Sequence, residues 1–186
     1  DEFLEHRQVV GDAGSVFTAG FTTSPDFPTA NAERPSQGSG RAEYGVVMRL
    51  QPDLSPAFST YVSGDGPGPE TAFVEGPDDN GAIYVTGRTG SDDVGAGADA
   101  FQSVHLGGTD AFVQVYTADG NLLHATFLGG SDDDYGRYIA HDPATGITIV
   151  ALETFSADLP ASAAAPNPTL HPAGEDAFIV MFRPES

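Results

Sequence analysis

Three consecutive aspartates, Asp132, Asp133 and Asp134, follow Gly129-Gly130 and form the main candidate for chemistry in this chain. Adjacent carboxylates repel one another, and a hard cation such as Ca²⁺ relieves that repulsion because it takes oxygen ligands alone. The alternating Asp residues and distal Glu of an EF-hand are absent, so a second interpretation stands beside the first. In that interpretation the run is a turn whose Asp side chains accept hydrogen bonds from backbone N–H groups. The sequence therefore suggests calcium as a possible cofactor and no other.

The remaining residues that could do chemistry form no catalytic pattern. No G-x-S-x-G nucleophile motif and no G-x-x-x-x-G-K phosphate loop occurs, and the absence of Cys excludes thiolate metal sites and disulfides. The histidines show no helical i, i+4 pair, so structural or surface roles are expected for His6, His105, His124, His141 and His171. Two of the 27 acidic residues could serve glycoside hydrolysis, but the sequence singles out no pair. We therefore expect no catalytic residue.

The charge balance excludes several classes of partner. The chain has 186 residues, with 7 Arg and Lys against 27 Asp and Glu, for a formal net charge of −20. Nucleic acid and anionic membrane surfaces would be repelled. No apolar run approaches the roughly 18 residues of a membrane helix, so membrane insertion is not expected. The acidity fits either a well-solvated surface or divalent-cation binding. The chain opens on DEFLEHRQVV, so we expect that a leader was removed or that the chain is part of something longer.

A fixed period of 66 residues organises the chain and must position these side chains. The runs AFVQVY and LLHATFL flank an Asp-Gly-Asn turn, which predicts a β-hairpin. The sequence Asp110–Val113 recurs as Asp176–Ile179, and Phe58–Gly64 recurs as His124–Gly130, each 66 residues later. A fixed period indicates repeated supersecondary units.

Each repeat is predicted to contain four strands and one long turn-rich loop. The strand Val16–Thr22 matches Ile83–Thr89 and, more loosely, Thr148–Thr154. Long loops rich in Gly, Ser or Pro follow each of them. Arg7 and Arg137 occupy equivalent positions, where an ion pair between blades with a neighbouring Asp is expected, the alternative being a ligand-binding role. The boundaries fall near 1–64, 65–130 and 131–186, and the third repeat stops at Ser186 without its fourth strand.

Several ordered motifs resemble the bacterial SBBP β-propeller repeat family. The match is carried by Asp26–Thr29, Ala100–Gln102, Gly108–Val113 and Leu128–Gly130, and it covers nearly the whole chain. The resemblance implies a β-propeller in extracytoplasmic bacterial proteins, often one module of a larger polypeptide, with no single activity common to the family. The middle repeat departs from the pattern, since Asp92-Asp93-Val94-Gly95 replaces the Asp-Phe-Pro-Thr motif. The third departs too, at Ala151-Leu152-Glu153.

These observations predict an all-β chain, a partial β-propeller of about three four-stranded antiparallel blades whose last blade is incomplete. Three blades do not close a ring, since propellers typically have 4 to 8. An open arc leaves apolar faces and an edge bare, so we expect a longer propeller, or self-association or a protein partner that completes it. The expected function is a non-enzymatic structural or binding module outside the bacterial cell or on its surface. The alternatives are a carbohydrate-active hydrolase or lyase that binds polysaccharide, and a calcium-stabilised adhesin.

Overall fold

The computed structural model describes residues 2–3, 8–11, 14–39, 43–62, 64–66, 70–159 and 174–182. Twelve β-strands run through this part of the chain, and every pairing between them is antiparallel. They are β1 (Glu2–Phe3), β2 (Gln8–Val10), β3 (Val16–Thr22), β4 (Tyr44–Leu50), β5 (Pro56–Tyr61), β6 (Thr71–Glu75), β7 (Ile83–Thr89), β8 (Asp110–Tyr116), β9 (Leu122–Leu128), β10 (Asp134–Asp142), β11 (Ile147–Thr154) and β12 (Asp176–Phe182). Within these residues no helix is long and apolar enough to cross a membrane.

The strands form three sheets that follow one another along the chain. In sheet A, β1 and β2 pair with different stretches of β3, and β4 and β5 follow. Sheet B has the order β6-β7-β8-β9, and sheet C has the order β10-β11-β12. The prediction of an all-β chain built from successive antiparallel sheets is confirmed.

The 66-residue period appears directly in the strand registers. Thr22 pairs with Tyr44, Thr89 pairs with Asp110, and Thr154 lies opposite Asp176 in the equivalent position of sheet C. The sheets are therefore three versions of one pattern. Neighbouring strands are antiparallel, so the long loops and the connections between sheets leave the same end of this pattern, which we call the loop end.

Apolar side chains on alternate positions hold the sheets together face to face. In β8, Phe112 belongs to the cluster between sheets A and B, whereas the next residue, Val113, belongs to the cluster between sheets B and C. Both side chains are fully buried. Strands β6 and β10, each the first of its sheet, contact the preceding sheet. Sheet B is thus covered on both faces.

The face of sheet A that points away from sheet B has its own small core. Val46 and Met48 are buried there beside three aromatic rings. The ring of Tyr61 meets the ring of Phe27 edge-on at 5.7 Å and that of Tyr44 at 6.1 Å. Phe27 comes from the loop between β3 and β4, so this loop helps to close the outer side of sheet A.

Candidate functional site

The structure separates the three consecutive aspartates into different environments. Asp132 is exposed, Asp133 is half-buried and Asp134 is buried. Asp134 Oδ2 accepts hydrogen bonds from the backbone N–H of Gly130 at 2.7 Å and from the Ser156 hydroxyl at 2.7 Å. Asp134 therefore caps a backbone group, as the second interpretation of this run expects.

No group of three or more His, Asp or Glu side chains is arranged to hold a metal ion in the described part of the chain. Asp133 Oδ2 accepts a hydrogen bond from the Tyr135 hydroxyl at 3.2 Å rather than turning toward Asp134. The calcium site at Asp132, Asp133 and Asp134 stays a prediction. Melting the protein with and without a chelator tests it, because a bound ion raises the melting temperature.

A Thr-x-Ser-x-Asp turn occurs at the loop end of every sheet, and the sequence reasoning missed it. The three copies are Thr22–Asp26, Thr89–Asp93 and Thr154–Asp158. In each copy the Ser backbone N–H donates to the Thr hydroxyl at 3.0 Å, which fixes the chain as it leaves the strand. A buried apolar residue follows each copy: Phe27, Val94 and Leu159. The shared spacing of Thr, Ser and Asp is the signal that could have found it.

In sheet B this turn makes hydrogen bonds to the connection that arrives from sheet A. The Ser91 hydroxyl donates to the Asp65 carbonyl at 2.6 Å, and the Gly64 N–H donates to the Asp93 carbonyl at 3.0 Å. Arg34, from the long loop of sheet A, adds a two-pronged ion pair to the Asp93 carboxylate at 2.8 and 2.7 Å. That pair is the main reason why the pKa of Asp93 lies below its ordinary value.

In sheet C the same turn makes hydrogen bonds to the connection that arrives from sheet B. The Ser131 N–H donates to Asp158 Oδ1 at 2.9 Å, and the Asp132 N–H donates to the Ser156 hydroxyl at 2.9 Å. A Cβ on Gly130 would overlap the Asp158 carboxylate and the Ser156 side chain. This crowding explains why the connection contains glycine at that position.

Sheet A carries the turn but shows a different set of partners. The Ser24 hydroxyl donates to Asp26 Oδ1 of the same turn at 2.6 Å. The equivalent hydroxyls contact the connection between sheets: Ser91 donates to the Asp65 carbonyl, and Ser156 accepts from the Asp132 N–H. The turn is thus a local feature of every sheet. In sheets B and C it also makes hydrogen bonds to the connection from the preceding sheet, and we call this arrangement a clasp.

A buried acid begins the first strand at both seams between sheets. Glu70, immediately before β6, accepts hydrogen bonds from the Thr89 hydroxyl at 2.7 Å and from the Gly45 N–H at 3.1 Å. Asp134, at the start of β10, has the corresponding place, and its Oδ1 atom has no hydrogen-bond partner within the described part of the chain. Burial raises the pKa of Asp134 above its ordinary value.

A second buried carboxylate, that of Asp110, lies close enough to Asp134 to feel its charge. Burial is the main cause of its raised pKa, and the charge of Asp134 adds to the rise. Asp110 accepts backbone N–H groups of Leu106 at 3.0 Å and Gly107 at 3.1 Å. A Cβ on Gly129 would overlap its carboxylate. Both carboxylates are fully buried, so in this conformation neither can contact a polysaccharide.

A polar cleft of about 360 Å³ lies beside the Arg34–Asp93 ion pair. Its lining consists of residues 33–38 together with Gly64, Asp65 and Asp93. Arg34 is the only cation in this lining, and its guanidinium already pairs with Asp93. The cleft is therefore acidic, which is unfavourable for an anionic ligand.

The long loops cover the outer edges of sheets A and B by one repeated device. The backbone of Gln102 donates to the Thr126 hydroxyl at 2.9 Å and accepts the Phe127 N–H at 2.9 Å. The backbone of Arg34 makes the same contacts with Thr60-Tyr61, at 2.8 and 3.3 Å. Each loop thereby shields a strand edge that would otherwise be open to pairing with another chain.

The outward face of sheet C is apolar and open to solvent. Tyr138, Ile149, Ile179 and Met181 are exposed by 74, 38, 66 and 62 %. They come from all three strands, and Ile149 lies directly opposite Met181. Contiguous apolar side chains at this exposure mark interaction surfaces in soluble proteins.

The repeat identifies what this face corresponds to. Ile179 and Met181 stand 66 residues after Val113 and Val115, which are 0 and 5 % exposed because sheet C covers them. The outward face of sheet C is therefore the equivalent of a face that elsewhere in the molecule receives another sheet. We call the surface formed by Tyr138, Ile149, Ile179 and Met181 the outward face.

Several residues singled out in the sequence have other outcomes. Arg137 makes an ion pair with Glu153 on the adjacent strand of the same sheet, so the predicted ion pair between blades with an Asp is wrong for this arginine. Its guanidinium also lies 5.2 Å from the centre of the Tyr135 ring. His105 contacts Asp92 at 3.2 Å, and His141 stacks on Tyr84 with ring centres 4.0 Å apart. The expectations for His6, Arg7, His171 and the Pro-rich stretch 160–173 fall outside the described residues.

Known proteins add no assignment to this geometry. No family model matches the chain, and no curated protein matches it. The three repeats instead provide an internal comparison, because each position can be examined in up to three different surroundings.

Proposed function

We propose that the chain is a non-enzymatic assembly module, an arc of an SBBP-type β-propeller that acts outside the bacterial cell or on its surface. The observation that carries the proposal is the outward face of sheet C. Two of its residues, Ile179 and Met181, occupy the repeat positions at which sheet B is buried against its neighbour. The expected occupant is the sheet of another repeat, supplied by a second copy of the chain.

Energetic considerations support a role in assembly. Fully burying a side chain such as Ile or Met stabilises a protein by about 1.5 to 3 kcal/mol. Ile179 and Met181 retain most of that potential stabilisation, since more than half of each side chain is exposed. Association also costs translational and rotational freedom, which offsets part of this stabilisation. We therefore expect the face to support reversible rather than permanent association.

Charge imposes a condition on this association. The net charge of −20 makes two copies repel each other over distances longer than an apolar contact. Added salt screens that repulsion, because the Debye length falls from about 10 Å at 0.1 M to about 3 Å at 1 M. Self-association through the outward face should therefore strengthen as the salt concentration rises.

Sedimentation equilibrium tests the proposal directly. The wild-type chain should associate in a concentration-dependent way, more strongly in 1 M than in 0.1 M NaCl. The double variant Ile149→Gln/Met181→Gln should remain monomeric, since it makes the outward face polar without changing the net charge. Leu123→Gln is the matched control, because Leu123 is an exposed apolar residue of β9 rather than of sheet C. A wild-type chain that stays monomeric at high concentration and high salt overturns the proposal.

A further inference from the structure

Strand β12 repeats the first three residues of β8 and its pattern of apolar side chains, but it has fewer neighbours. Asp110-Ala111-Phe112-Val113 and Asp176-Ala177-Phe178-Ile179 pair with β7 and β11 in the same register. On its other side β8 pairs with β9. Across the described residues, no strand pairs with the other side of β12 along residues 177–182.

The side chains of β12 that face sheet B, which we call its inner side, show how a fourth strand would change their burial. Phe178 and Phe182 pack against the core between sheets B and C but remain half-buried. Their equivalents in β8, Phe112 and Tyr116, are at most 1 % exposed. The ring of Phe127, on β9, is also fully buried and stands directly opposite Phe112. Sheet C therefore lacks burial at the place where a fourth strand completes the core of sheet B.

We propose that the edge of β12 accepts an antiparallel strand with the sequence pattern of β9, supplied by a polypeptide in which that strand is not already paired within its own sheet. The two complete sheets define its register. The residue opposite Val113 in sheet B, and opposite Val47 in sheet A, is a Thr. The position opposite Ile179 is therefore a Thr, and an aromatic residue follows it opposite Phe178.

The pattern of the incoming strand is thus specified over three positions. A small residue precedes the Thr, as Ser59 does in β5 and Ala125 does in β9. The aromatic residue is Tyr61 or Phe127 in the existing sheets, and its ring lies on the face that corresponds to the Phe178 face of sheet C. An incoming small-Thr-aromatic segment would supply main-chain hydrogen bonds to β12 and a ring to cover Phe178.

This inference rests on the proposed function, because both treat sheet C as an assembly surface, but the two use different parts of it. Strand addition uses the backbone edge and the inner side of β12. Sheet packing uses the outward face, to which Ile179 and Met181 contribute. Sheet B shows that the two are compatible, since it carries β9 on one edge and sheet C on one face.

A disulfide-trapping experiment tests the register, and the chain suits it because it contains no Cys. Full-length Ile179→Cys protein is oxidised with a synthetic peptide of residues 122–130 in which Thr126 is replaced by Cys. The matched control peptide carries Cys at the position of Ala125, whose side chain points to the opposite face. The register predicts that the first peptide cross-links at least about ten times faster than the control.

Alternative occupants give distinguishable results. Equal cross-linking by the two peptides, or cross-linking of neither, overturns strand addition in this register. In the Ile149→Gln/Met181→Gln background, which blocks association through the outward face, rapid formation of protein–protein disulfides that the peptide does not suppress would show that two copies of β12 pair with each other, which also overturns it.

A second variant separates this inference from the proposed function. Ile149→Gln/Met181→Gln, combined with Ile179→Cys, should lose self-association but keep selective cross-linking to the Thr126→Cys peptide. If the wild-type chain self-associates and the peptides show no selectivity, the strand inference fails while the proposed function stands. If the peptides are selective and the wild-type chain stays monomeric, the proposed function fails and the edge remains a strand-binding site.

Discussion

Strands β8 and β12 begin with the same three residues and pair in the same register, yet their side chains have different surroundings. Val113 is fully buried between two sheets, whereas Ile179, its equivalent 66 residues later, is 66 % exposed. Local sequence therefore determines that both segments form strands, since alternating β-branched and aromatic residues favour a pleated surface. Burial depends on whether a neighbouring sheet is present. Paired substitutions at equivalent positions can isolate that contribution.

The largest difference is expected when a charge is placed at the outward position of each strand. Val113→Asp puts a carboxylate between sheets B and C, which should destabilise the fold by about 4 kcal/mol or more. Ile179→Asp should change the free energy of unfolding of the dilute monomer by less than about 0.5 kcal/mol, because its side chain is in water. Urea unfolding at low protein concentration measures both. Equal destabilisation would mean that the outward face is covered within the monomer.

A smaller contrast is expected on the inner side of the same strands. Phe112→Ala empties a fully buried site between sheets A and B, and should cost about 3 to 5 kcal/mol. Phe178→Ala removes a half-buried ring and should cost about half as much. The comparison uses the free energy of unfolding from denaturant titration. A Phe178→Ala cost equal to that of Phe112→Ala would indicate that β12 already has a complete core.

The two seams between sheets should respond to pH in opposite directions. The pKa of Asp134 at the seam between sheets B and C is raised, so its folded state holds the proton more tightly than the unfolded chain does. Its stabilising contribution is present at low pH and is lost as pH rises from the ordinary value near 3.8 through the folded pKa. The pKa of Asp93 at the other seam is lowered, so its contribution is lost as pH falls below 3.8 through its folded pKa.

Asp134→Asn tests the first half of that contrast. The amide cannot ionise, so the difference in free energy of unfolding between wild type and variant should depend on pH above 3.8, in the wild type's favour at the acid end. The amide oxygen can keep both hydrogen bonds of Oδ2, but the amide nitrogen then replaces Oδ1 as a buried donor without a partner, which should also cost about 1 to 3 kcal/mol. Asp132→Asn serves as the control, since Asp132 is exposed and only its backbone N–H contacts Ser156. A flat difference across pH 4 to 7 would contradict the raised pKa.

The smallest effect is expected at the exposed end of the seam between sheets A and B. Arg34→Lys keeps the charge but loses the two-pronged geometry with Asp93, and should cost at most about 1 kcal/mol. The cost should shrink in 1 M NaCl, because about half of the Asp93 side chain is exposed. Thermal melting at two salt concentrations measures this. A salt-independent loss would point to packing rather than charge.

The sequence predicts the sheets well because their signal is repeated. The hairpin of β8 and β9 follows from alternating apolar residues around Asp119-Gly120-Asn121, and the period of 66 residues extends it to the other sheets. Side-chain alternation also assigns Phe112 and Val113 to opposite faces. The hairpin turn, the period and the side-chain alternation are local properties, so they can be read from a single sequence.

The seams could not be predicted in the same way. Glu70 and Asp134 have the same place in their sheets, although one is Glu and the other is the last of three Asp residues. Nothing in the run Asp132–Asp134 distinguishes the buried carboxylate from the exposed one, because that depends on Ser156, which lies 22 residues later, just past the end of the neighbouring strand of the same sheet. Contacts between residues distant in sequence therefore decide which acid is structural.

The clasps at the seams also give the chain a direction. Each one is made by a turn from the later sheet that grips the connection leaving the earlier sheet, at Ser91 for the first seam and at Ser156 for the second. A chain emerging from the ribosome would secure its previous unit only when the next unit is synthesised. Such an array therefore assembles in one direction along the chain, and the contacts that hold each unit form only after the next unit has been made.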